Sequence, residues 1–336
     1  MSRLNTLALL SVSGLLALST FGQLAVTSAA TAASAATAAS AASAASGLSA
    51  PRAANPFIRH MYTADPSAHV WEDGRLYVYP STDVAGGRGY QKMDGYHVFS
   101  TDDMVHWTDH GEILHSRDVD WGRKGGGYMW APDCAYKEGT YYFYFPHPTG
   151  PNARDSWKIG IATSQSPASG FKVQGYIEGL EPHIDPCVFI DEDGQAYLYY
   201  GGFGEPLVAK LKANMVEVEG PSMRMHGLED FREGAFVFKR EGIYYMIYPD
   251  NTPRGHQMRY AMSEHPMGPW EHKGILLDKT SSLTTHGSVV AYKGQWYLFY
   301  HNADLSGGKV TNRSICFDPV TFNADGTMKQ VVQSSQ

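Results

Sequence analysis

The stretch that decides the fold is residues 185–200, DPCVFIDEDGQAYLYY. A polar or aromatic residue, here Asp185, comes before a short apolar strand, a charged residue and Gly form a turn, and an aromatic strand follows. The same pattern occurs five times, in the segments Asp65–Tyr79, Trp130–Tyr144, Asp185–Tyr200, Glu233–Tyr248 and His286–Tyr300. The turn glycines, which are 65, 55, 48 and 52 residues apart, are Gly74, Gly139, Gly194, Gly242 and Gly294. Repeats of roughly 40–55 residues built from short strands are typical of β-propellers. The sequence therefore predicts an all-β, five-bladed β-propeller with four strands per blade, forming a single catalytic domain.

The first residue of each repeat occupies an equivalent position in the predicted propeller. In the first four repeats this residue lies nine positions before the turn glycine, and in the fifth it lies eight positions before it. A radial array places equivalent positions around one central channel. We therefore expect one site to contain the residues that open the five repeats, namely Asp65, Trp130, Asp185, Glu233 and His286.

The N-terminal segment has the composition of an export signal. Residues 1–30 contain one early positive charge, Arg3, an apolar run from Leu7 to Leu18, and small residues after it. This is the layout of a secretory signal peptide, and the run is shorter than the roughly 20 residues that span a bilayer. Residues 31–54 form an Ala/Ser/Thr-rich linker, and residues 55–336 form the propeller domain. We predict a periplasmic or secreted protein with no membrane attachment after signal removal.

Charge and cysteine content narrow the classes of partner and site. The 336-residue chain has a formal net charge of −7, and its Lys and Arg residues are scattered, so nucleic acid is not an expected partner. Cys134, Cys187 and Cys316 lie in predicted strands, where we expect buried free thiols rather than a disulfide framework. No Cys or His pair has the spacing of a zinc site.

Three of the residues that open the repeats are carboxylic acids, which suggests hydrolysis of glycosidic bonds. Asp65, Asp185 and Glu233 each directly precede a predicted apolar strand, so each must be paired, hydrogen-bonded or functional. Converging carboxylates raise one another's pKa. Glycoside hydrolysis requires a protonated acid beside the leaving oxygen and an ionised carboxylate across the sugar ring. A third acid nearby can keep the donor protonated.

These residues and their neighbours resemble a known family. The three acids, together with Trp130-Ala-Pro, Arg232-Glu-Gly-Ala-Phe and the Thr-His-Gly of the fifth repeat, resemble glycoside hydrolase family 43 over residues 55 to about 330. Members are five-bladed propellers that act on arabinose- and xylose-containing polysaccharides. The resemblance implies that Asp65 is the general base and Glu233 the general acid, and that Asp185 adjusts the pKa of Glu233 and orients it. It also implies inversion of the anomeric centre, for which the base and acid stand roughly 6.5–9.5 Å apart.

The sequence also contains candidate binding residues. Trp130 can pack its apolar face against the C–H face of a sugar, and Arg313 resembles an arginine of the family near the bound sugar. By the same resemblance His286 lies under the active site and approaches a structural calcium or sodium ion, with water between because hard cations prefer oxygen ligands. A hydrogen-bonded structural histidine is the alternative for His286. Catalysis needs no cofactor, and weaker candidates are His147, His183 and Arg232.

The expected function is that of an exported, inverting exo-glycosidase that removes terminal α-L-arabinofuranosyl or β-D-xylosyl residues from plant cell-wall saccharides. Endo-arabinanase, exo-β-1,3-galactanase and a non-catalytic sugar-binding propeller remain alternatives, because loop shape and turnover cannot be read from the sequence. The glycine-rich segments 86–89 and 122–127 lack the ending of a phosphate loop. We expect them to be loops at the channel mouth.

Overall fold

The computed structural model of the chain describes residues 55–86 and 89–334. The predicted signal peptide, residues 1–30, and the predicted linker, residues 31–54, lie outside the described residues. Within the described ranges the strands form five antiparallel sheets, one for each sequence repeat. The first strands of neighbouring sheets contact one another all the way round, including the contact between the first and the fifth sheet. The prediction of an all-β, five-bladed propeller is confirmed.

The strands follow one another along each blade from the centre outwards. Their bounds are, for blade one, β1 Tyr62–Val70, β2 Leu76–Asp83, β3 Gly95–Thr101 and β4 Thr108–His115; for blade two, β5 Asp133–Lys137, β6 Thr140–Pro148, β7 Trp157–Ser164 and β8 Lys172–Tyr176; for blade three, β9 Cys187–Ile190, β10 Ala196–Gly202, β11 Glu205–Leu211 and β12 Met223–Arg224; for blade four, β13 Phe236–Arg240, β14 Ile243–Pro249, β15 Met258–Ser263 and β16 Glu271–Leu277; and for blade five, β17 Ser288–Tyr292, β18 Gln295–Asn302 and β19 Ser314–Val320. Three short 3-10 helices connect strands at Tyr90–Lys92, Ser116–Asp118 and Asp304–Ser306. No helix in the described ranges is both long and apolar enough to span a bilayer.

The expectation of four strands in every blade is wrong for blade five, whose sheet contains three. In its place, Phe57 N–H, from the segment before β1, donates to Ile315 O of β19 at 3.2 Å. At the start of β1, Thr63 N–H donates at 2.9 Å to the O of Arg313, which directly precedes β19. After β19 the chain crosses to blade four, where Val331 N–H donates to Leu276 O at 2.7 Å. The fifth blade thus uses backbone partners from the other end of the chain in place of a fourth strand.

The glycines that identified the repeats also explain the hairpins. All five have φ between 75° and 83°, a left-handed conformation that Gly adopts without steric cost. In blade four, Arg240 pairs with Ile243, which leaves Glu241 and Gly242 as a two-residue loop with φ of 51° and 81°. Positive φ at both positions matches the type I′ turn that suits the twist of a β-hairpin.

The aromatic second strands form the packing between blades, as expected from the sequence. Tyr79, Tyr144 and Tyr300 are fully buried, and each belongs to a cluster that joins residues of adjacent blades. Their hydroxyl groups find partners: Tyr144 Oη, for example, donates to Met215 O at 2.8 Å. The three cysteines are buried and free, which confirms that prediction.

Candidate active site

A pocket of about 300 Å³ contains all five residues that open the repeats. Its lining residues are Asp65, Tyr90, Met93, Trp130, Ala131, Ile184, Asp185, Phe203, Arg232, Glu233, His256, Leu283, Thr284, Thr285, His286 and Arg313. The lining contains residues from all five repeats. The predicted radial convergence of Asp65, Asp185 and Glu233 on one site is therefore present in the structure.

Backbone geometry directs two of the carboxylates. Asp65 has a φ of 51° and Asp185 a φ of 58°, the left-handed region that few residues other than Gly adopt. Asp65 does not precede its strand as the sequence suggested, but lies inside β1, where the pairing with β2 shifts register between Ala64 and Ser67. Such bulges re-aim a side chain. Non-glycine residues held in this conformation cluster at functional sites, and Asp tolerates it better than most.

Hydrogen bonds fix both oxygens of the Asp65 carboxylate. Ser81 Oγ donates to Asp65 Oδ2 at 2.5 Å, and Arg313 Nη1 donates to Asp65 Oδ1 at 3.0 Å. Arg313 is itself held by Asp83, whose Oδ2 accepts from Nε at 2.9 Å and whose Oδ1 accepts from Nη2 at 2.8 Å. A two-pronged contact of this kind fixes the plane of the guanidinium group.

The buried guanidinium group decides the ionisation of Asp65. Burial is the largest influence and raises the pKa of this carboxyl, but the charge of Arg313, the next largest, acts with His301, His286 and the Ser81 hydrogen bond to bring the pKa to about 2. Burial lowers the pKa of His301, which also contacts Asp65, to about 3, so this ring is neutral near pH 7. Arg313 is therefore the cation that keeps Asp65 ionised.

His301 orients the backbone of Asp65. The Asp65 N–H donates to His301 Nδ1 at 3.1 Å, so Nδ1 carries no proton. His301 Nε2 must then carry the ring proton, which it donates to Thr284 O at 3.0 Å. His301 thus links Thr284, two residues before His286, to the bulge that presents Asp65.

The other two carboxylates share a buried environment that favours a bound proton. Burial raises the pKa of Asp185 well above its usual value, and the charges of Glu233 and Asp65 add to the rise. Burial also raises the pKa of Glu233, although Arg232, whose Nε lies 3.6 Å from Glu233 Oε2, opposes the rise. One acid with a lowered pKa and two acids with raised pKa values therefore face the same pocket.

The predicted binding residues all line the pocket, but in different ways. Trp130 is half-buried, its Nε1–H donates to Tyr90 O at 2.9 Å, and its ring packs at 4.7 Å against Trp157. Arg313 is only 3% exposed, and its donors are directed at Asp65, Asp83 and Thr284. This side chain therefore holds the Asp65 carboxylate as well as lining the pocket.

His286 lies next to Asp65, with 4.0 Å between Nδ1 and Asp65 Oδ1, and burial lowers its pKa. Its ring also lies against Gly234, where an added Cβ would be 3.1 Å from Nδ1. Among the described residues no three His, Cys, Asp or Glu side chains are grouped so that they could hold a metal ion. A water-mediated approach of His286 to calcium or sodium stays a prediction.

Of the weaker candidates, only Arg232 lines the pocket. His147 is fully buried, with burial lowering its pKa to about 4, and its ring lies 5.7 Å from that of Trp121. His183 stands two residues before Asp185 but does not line the pocket. The glycine-rich segment 122–127 packs against the connection that contains the pocket residues Tyr90 and Met93. Gly127 N–H donates to Oδ1 of Asp94, the residue after Met93, at 2.8 Å. Segment 86–89 is only partly within the described residues.

Sequence reasoning missed several residues of the site. Ser81 and Asp83 lie in the buried polar end, Ser81-Thr82-Asp83, of a strand that begins with apolar and aromatic residues, a signal that marks them as candidates. His301 ends the aromatic run of blade five in the same way. Phe203, His256 and Leu283 lie in connections between strands. The repeated pattern does not extend to these connections, so it gives no signal for these residues.

Comparisons with known proteins place this site in a family. The sequence profile described as "Glycosyl hydrolases family 43" matches residues 53–328. The chain belongs to glycoside hydrolase family 43. This family member is 34% identical to xylosidase/arabinosidase 43A of Humicola insolens over 81% of the chain and 97% of that protein. It is 33% identical to a xylosidase/arabinosidase of Bacteroides ovatus over 79% of the chain and 93% of that protein.

The same relationship holds in three dimensions. The family 43 β-xylosidase/α-arabinofuranosidase CoXyl43 from a compost metagenome, whose structure was solved with xylotriose in a calcium-free form, superposes with a TM-score of 0.75. It shares 34% sequence identity, and the match covers 82% of this chain and 96% of that one. This family 43 chain is a glycoside hydrolase that acts on O-glycosyl bonds.

Proposed function

We propose that the protein is an exported, inverting exo-glycosidase that removes terminal pentosyl residues, either α-L-arabinofuranosyl or β-D-xylosyl. The observation that carries the proposal is the convergence of Asp65, Asp185 and Glu233 on one pocket. Its volume of about 300 Å³ is at the lower end of the range for small-molecule sites, which favours one terminal sugar over a long polymer segment.

Each carboxylate has a distinct role in the proposed reaction. Asp65, kept ionised by Arg313, accepts a proton from water, and that water attacks the anomeric carbon from the face opposite the leaving group. Glu233 gives its proton to the leaving glycosidic oxygen, so the C–O bond breaks without releasing an alkoxide. Asp185, buried beside Glu233, keeps the proton on the pair and orients the donor. The reaction ends with Asp65 protonated and Glu233 ionised, and solvent restores both.

The choice of sugar rests on the relatives. The named proteins of Humicola insolens and Bacteroides ovatus combine xylosidase and arabinosidase in one description, which supports both pentoses as substrates here. Trp130 offers an apolar wall for either ring, because a half-buried indole can cover a C–H face. No cofactor takes part in the steps above.

Turnover assays test the proposal directly. Purified protein is assayed with nitrophenyl α-L-arabinofuranoside, nitrophenyl β-D-xyloside and fragments of arabinan, xylan and galactan, beside Glu233→Gln and Asp65→Asn. Cleavage of a terminal pentose by the wild type, with strong loss in both variants, is the expected result. Binding of these sugars without turnover would identify the alternative, a sugar-binding propeller. Release of internal fragments from arabinan would identify an endo-acting enzyme, and release of galactose from β-1,3-galactan a galactanase.

Stereochemistry and export are tested separately. Proton NMR of fresh product should show the anomer opposite to that of the substrate, and a retained anomer would contradict the roles given to Asp65 and Glu233. Export is tested by fractionating expressing cells and sequencing the N-terminus of the mature protein. We expect the periplasm or medium to contain a chain that lacks residues 1 to about 30, since the signal layout ends there. An uncut chain in the cytoplasm would contradict export.

A further inference from the structure

An aromatic side chain stands at the mouth of the pocket in an unusual conformation. Phe203, in the turn between β10 and β11, is 40% exposed and has a φ of 59°. Large residues rarely adopt this left-handed conformation, and where they do the surroundings must enforce it. The turn is anchored because Gly204 N–H donates to Arg232 O at 3.0 Å. An apolar ring is thus held in a fixed place where it meets solvent.

Two arginines from different blades flank this ring. The guanidinium carbon of Arg154, from the connection between β6 and β7, lies 5.7 Å from the Phe203 ring centroid, and that of Arg232 lies 5.8 Å from it. Each contact is a cation–π interaction, in which the positive charge is attracted to the face of the ring. The ring and its two cations form what we term the Phe203 platform, defined by Arg154, Phe203 and Arg232.

The positive charge of the Phe203 platform is poorly neutralised. Within the described part of the chain no ion pair engages Arg154, and the nearest carboxylate oxygen to Arg232 is Glu233 Oε2 at 3.6 Å from its Nε. That Nε is buried and has no hydrogen-bond partner among the described residues. The chain as a whole has a formal net charge of −7. In this acidic chain, two guanidinium groups with few polar partners therefore lie together at the mouth of the pocket. Such a pair of guanidinium groups is suited to bind an anion.

The platform lies on the leaving-group side of the pocket. A general acid must stand beside the oxygen that it protonates, so the leaving group occupies the side of the pocket where Glu233 lies. Arg232 directly precedes Glu233 in the chain, and Arg232 contacts Phe203. This step rests on the proposed function, in which Glu233 is the acid.

We propose that the Phe203 platform is a subsite for a leaving group that carries a carboxylate, namely a pentose oligosaccharide with a hexuronic acid branch. The C–H face of a sugar packs on the Phe203 ring. The branch carboxylate accepts hydrogen bonds from Arg154 and Arg232, since a guanidinium fork matches carboxylate geometry. The enzyme would then release terminal pentose from acid-branched oligosaccharides more efficiently than from neutral ones of the same length.

The test compares Arg154→Gln with wild type on two xylo-oligosaccharides of equal length, one neutral and one with a glucuronic acid branch next to the terminal xylose. Arg154 does not line the catalytic pocket, and each variant is scored by the ratio of its kcat/KM values for the acidic and the neutral substrate. We expect kcat/KM for the acidic substrate to fall roughly 3- to 10-fold, the effect of one partly exposed charged hydrogen bond. The wild-type preference should also shrink as salt is raised, because exposed charges are screened.

Lys172→Gln is the matched control, because it removes the same charge from an exposed position on β8, the outer strand of blade two. If Arg154→Gln and Lys172→Gln lowered kcat/KM for the acidic substrate equally, the preference would come from the net charge of the protein. That result would overturn the proposal. So would a wild type that cleaves the neutral and acidic substrates equally well.

Binding separates this proposal from the proposed function. Calorimetry measures the affinity of Glu233→Gln, with and without Arg154→Gln, for both oligosaccharides. Tighter binding of the acidic oligosaccharide, lost with Arg154, supports the platform even if the wild type cleaves neither substrate. If Glu233→Gln binds the acidic oligosaccharide equally well with and without Arg154→Gln, the platform proposal is overturned even if both substrates are cleaved.

Discussion

The ionisation of Asp65 provides the sharpest prediction. Burial raises the pKa of this carboxyl, but Arg313 leads the groups that together lower it to about 2, whereas the usual value is 3.8. This displacement corresponds to roughly 2.4 kcal/mol in favour of the charged form, at about 1.36 kcal/mol per pKa unit. Without Arg313, burial acts unopposed by a cation, and the pKa of Asp65 should rise to 3.8 or above. The base would then be protonated in mildly acidic solution.

The perturbation is Arg313→Gln combined with Asp83→Asn. Removing the arginine alone would leave Asp83, which is 4% exposed, as an unpaired buried charge, and this costs about 3–5 kcal/mol. The double variant removes both charges and keeps the pair neutral. Asp83→Asn alone is the control, because Arg313 then still lies beside Asp65.

The assay is kcat/KM against pH on a nitrophenyl pentoside between about pH 3 and 8, where the limbs report ionisations of the free enzyme. A general base works only when ionised, so its activity is lost as pH falls through its pKa. The acid limb of the double variant should lie at least about 1.8 pH units above the pKa of wild-type Asp65, which brings it into the measured range. The reasoning would be refuted if the double variant had a lower maximum kcat/KM but the same acid limb as Asp83→Asn. That result would show that Arg313 has only a structural role.

Three further predictions concern the acid, the leaving group and metal ions. Glu233→Gln should lower kcat on unactivated oligosaccharides by on the order of 10²–10⁴-fold and on nitrophenyl glycosides by much less; equal losses on both would contradict its role as proton donor. Phe203→Ala should reduce kcat/KM for xylobiose several-fold and leave β-xylosyl fluoride unchanged, because fluoride does not reach the platform; equal effects on both would place Phe203 outside the leaving-group site. Dialysis against EDTA should leave kcat unchanged, because no catalytic step uses a metal ion; loss of kcat restored by calcium, with the thermal stability of the protein unchanged, would contradict this mechanism.

The repeated pattern predicted the parts of the fold that depend on local chemistry. The turn glycines and aromatic strands defined five hairpins, and radial closure then required Asp65, Asp185 and Glu233 to meet. The three-stranded fifth blade was not predictable in the same way. It depends on Phe57, near the other end of the described chain, which bonds to Ile315 only once the ring has closed. It also depends on the segment after β19, which crosses to Leu276 of blade four instead of adding a strand to blade five.

The support of the site was harder to foresee than its chemistry. Ser81 and Asp83 lie on a second strand, whose aromatic residues draw attention to packing instead. The position of Asp65 inside β1 arises from a bulge, a backbone irregularity that strand propensity does not reveal. His301 and Arg313 reach Asp65 from 236 and 248 residues along the chain.

The two ends of the described chain meet at one seam. Asn55 Nδ2 donates to Ser334 Oγ at 2.8 Å and also to Phe317 O on β19, also at 2.8 Å. A short polar linker can therefore join these ends into a covalent circle, and the circle can be reopened at an exposed hairpin far from the pocket. Circular permutants of this kind should retain the pocket, since its lining residues come from loops and inner strands that the new break leaves intact. In a pulling experiment, by contrast, force applied at Asn55 and Ser334 would first act on the contacts between blades five and one.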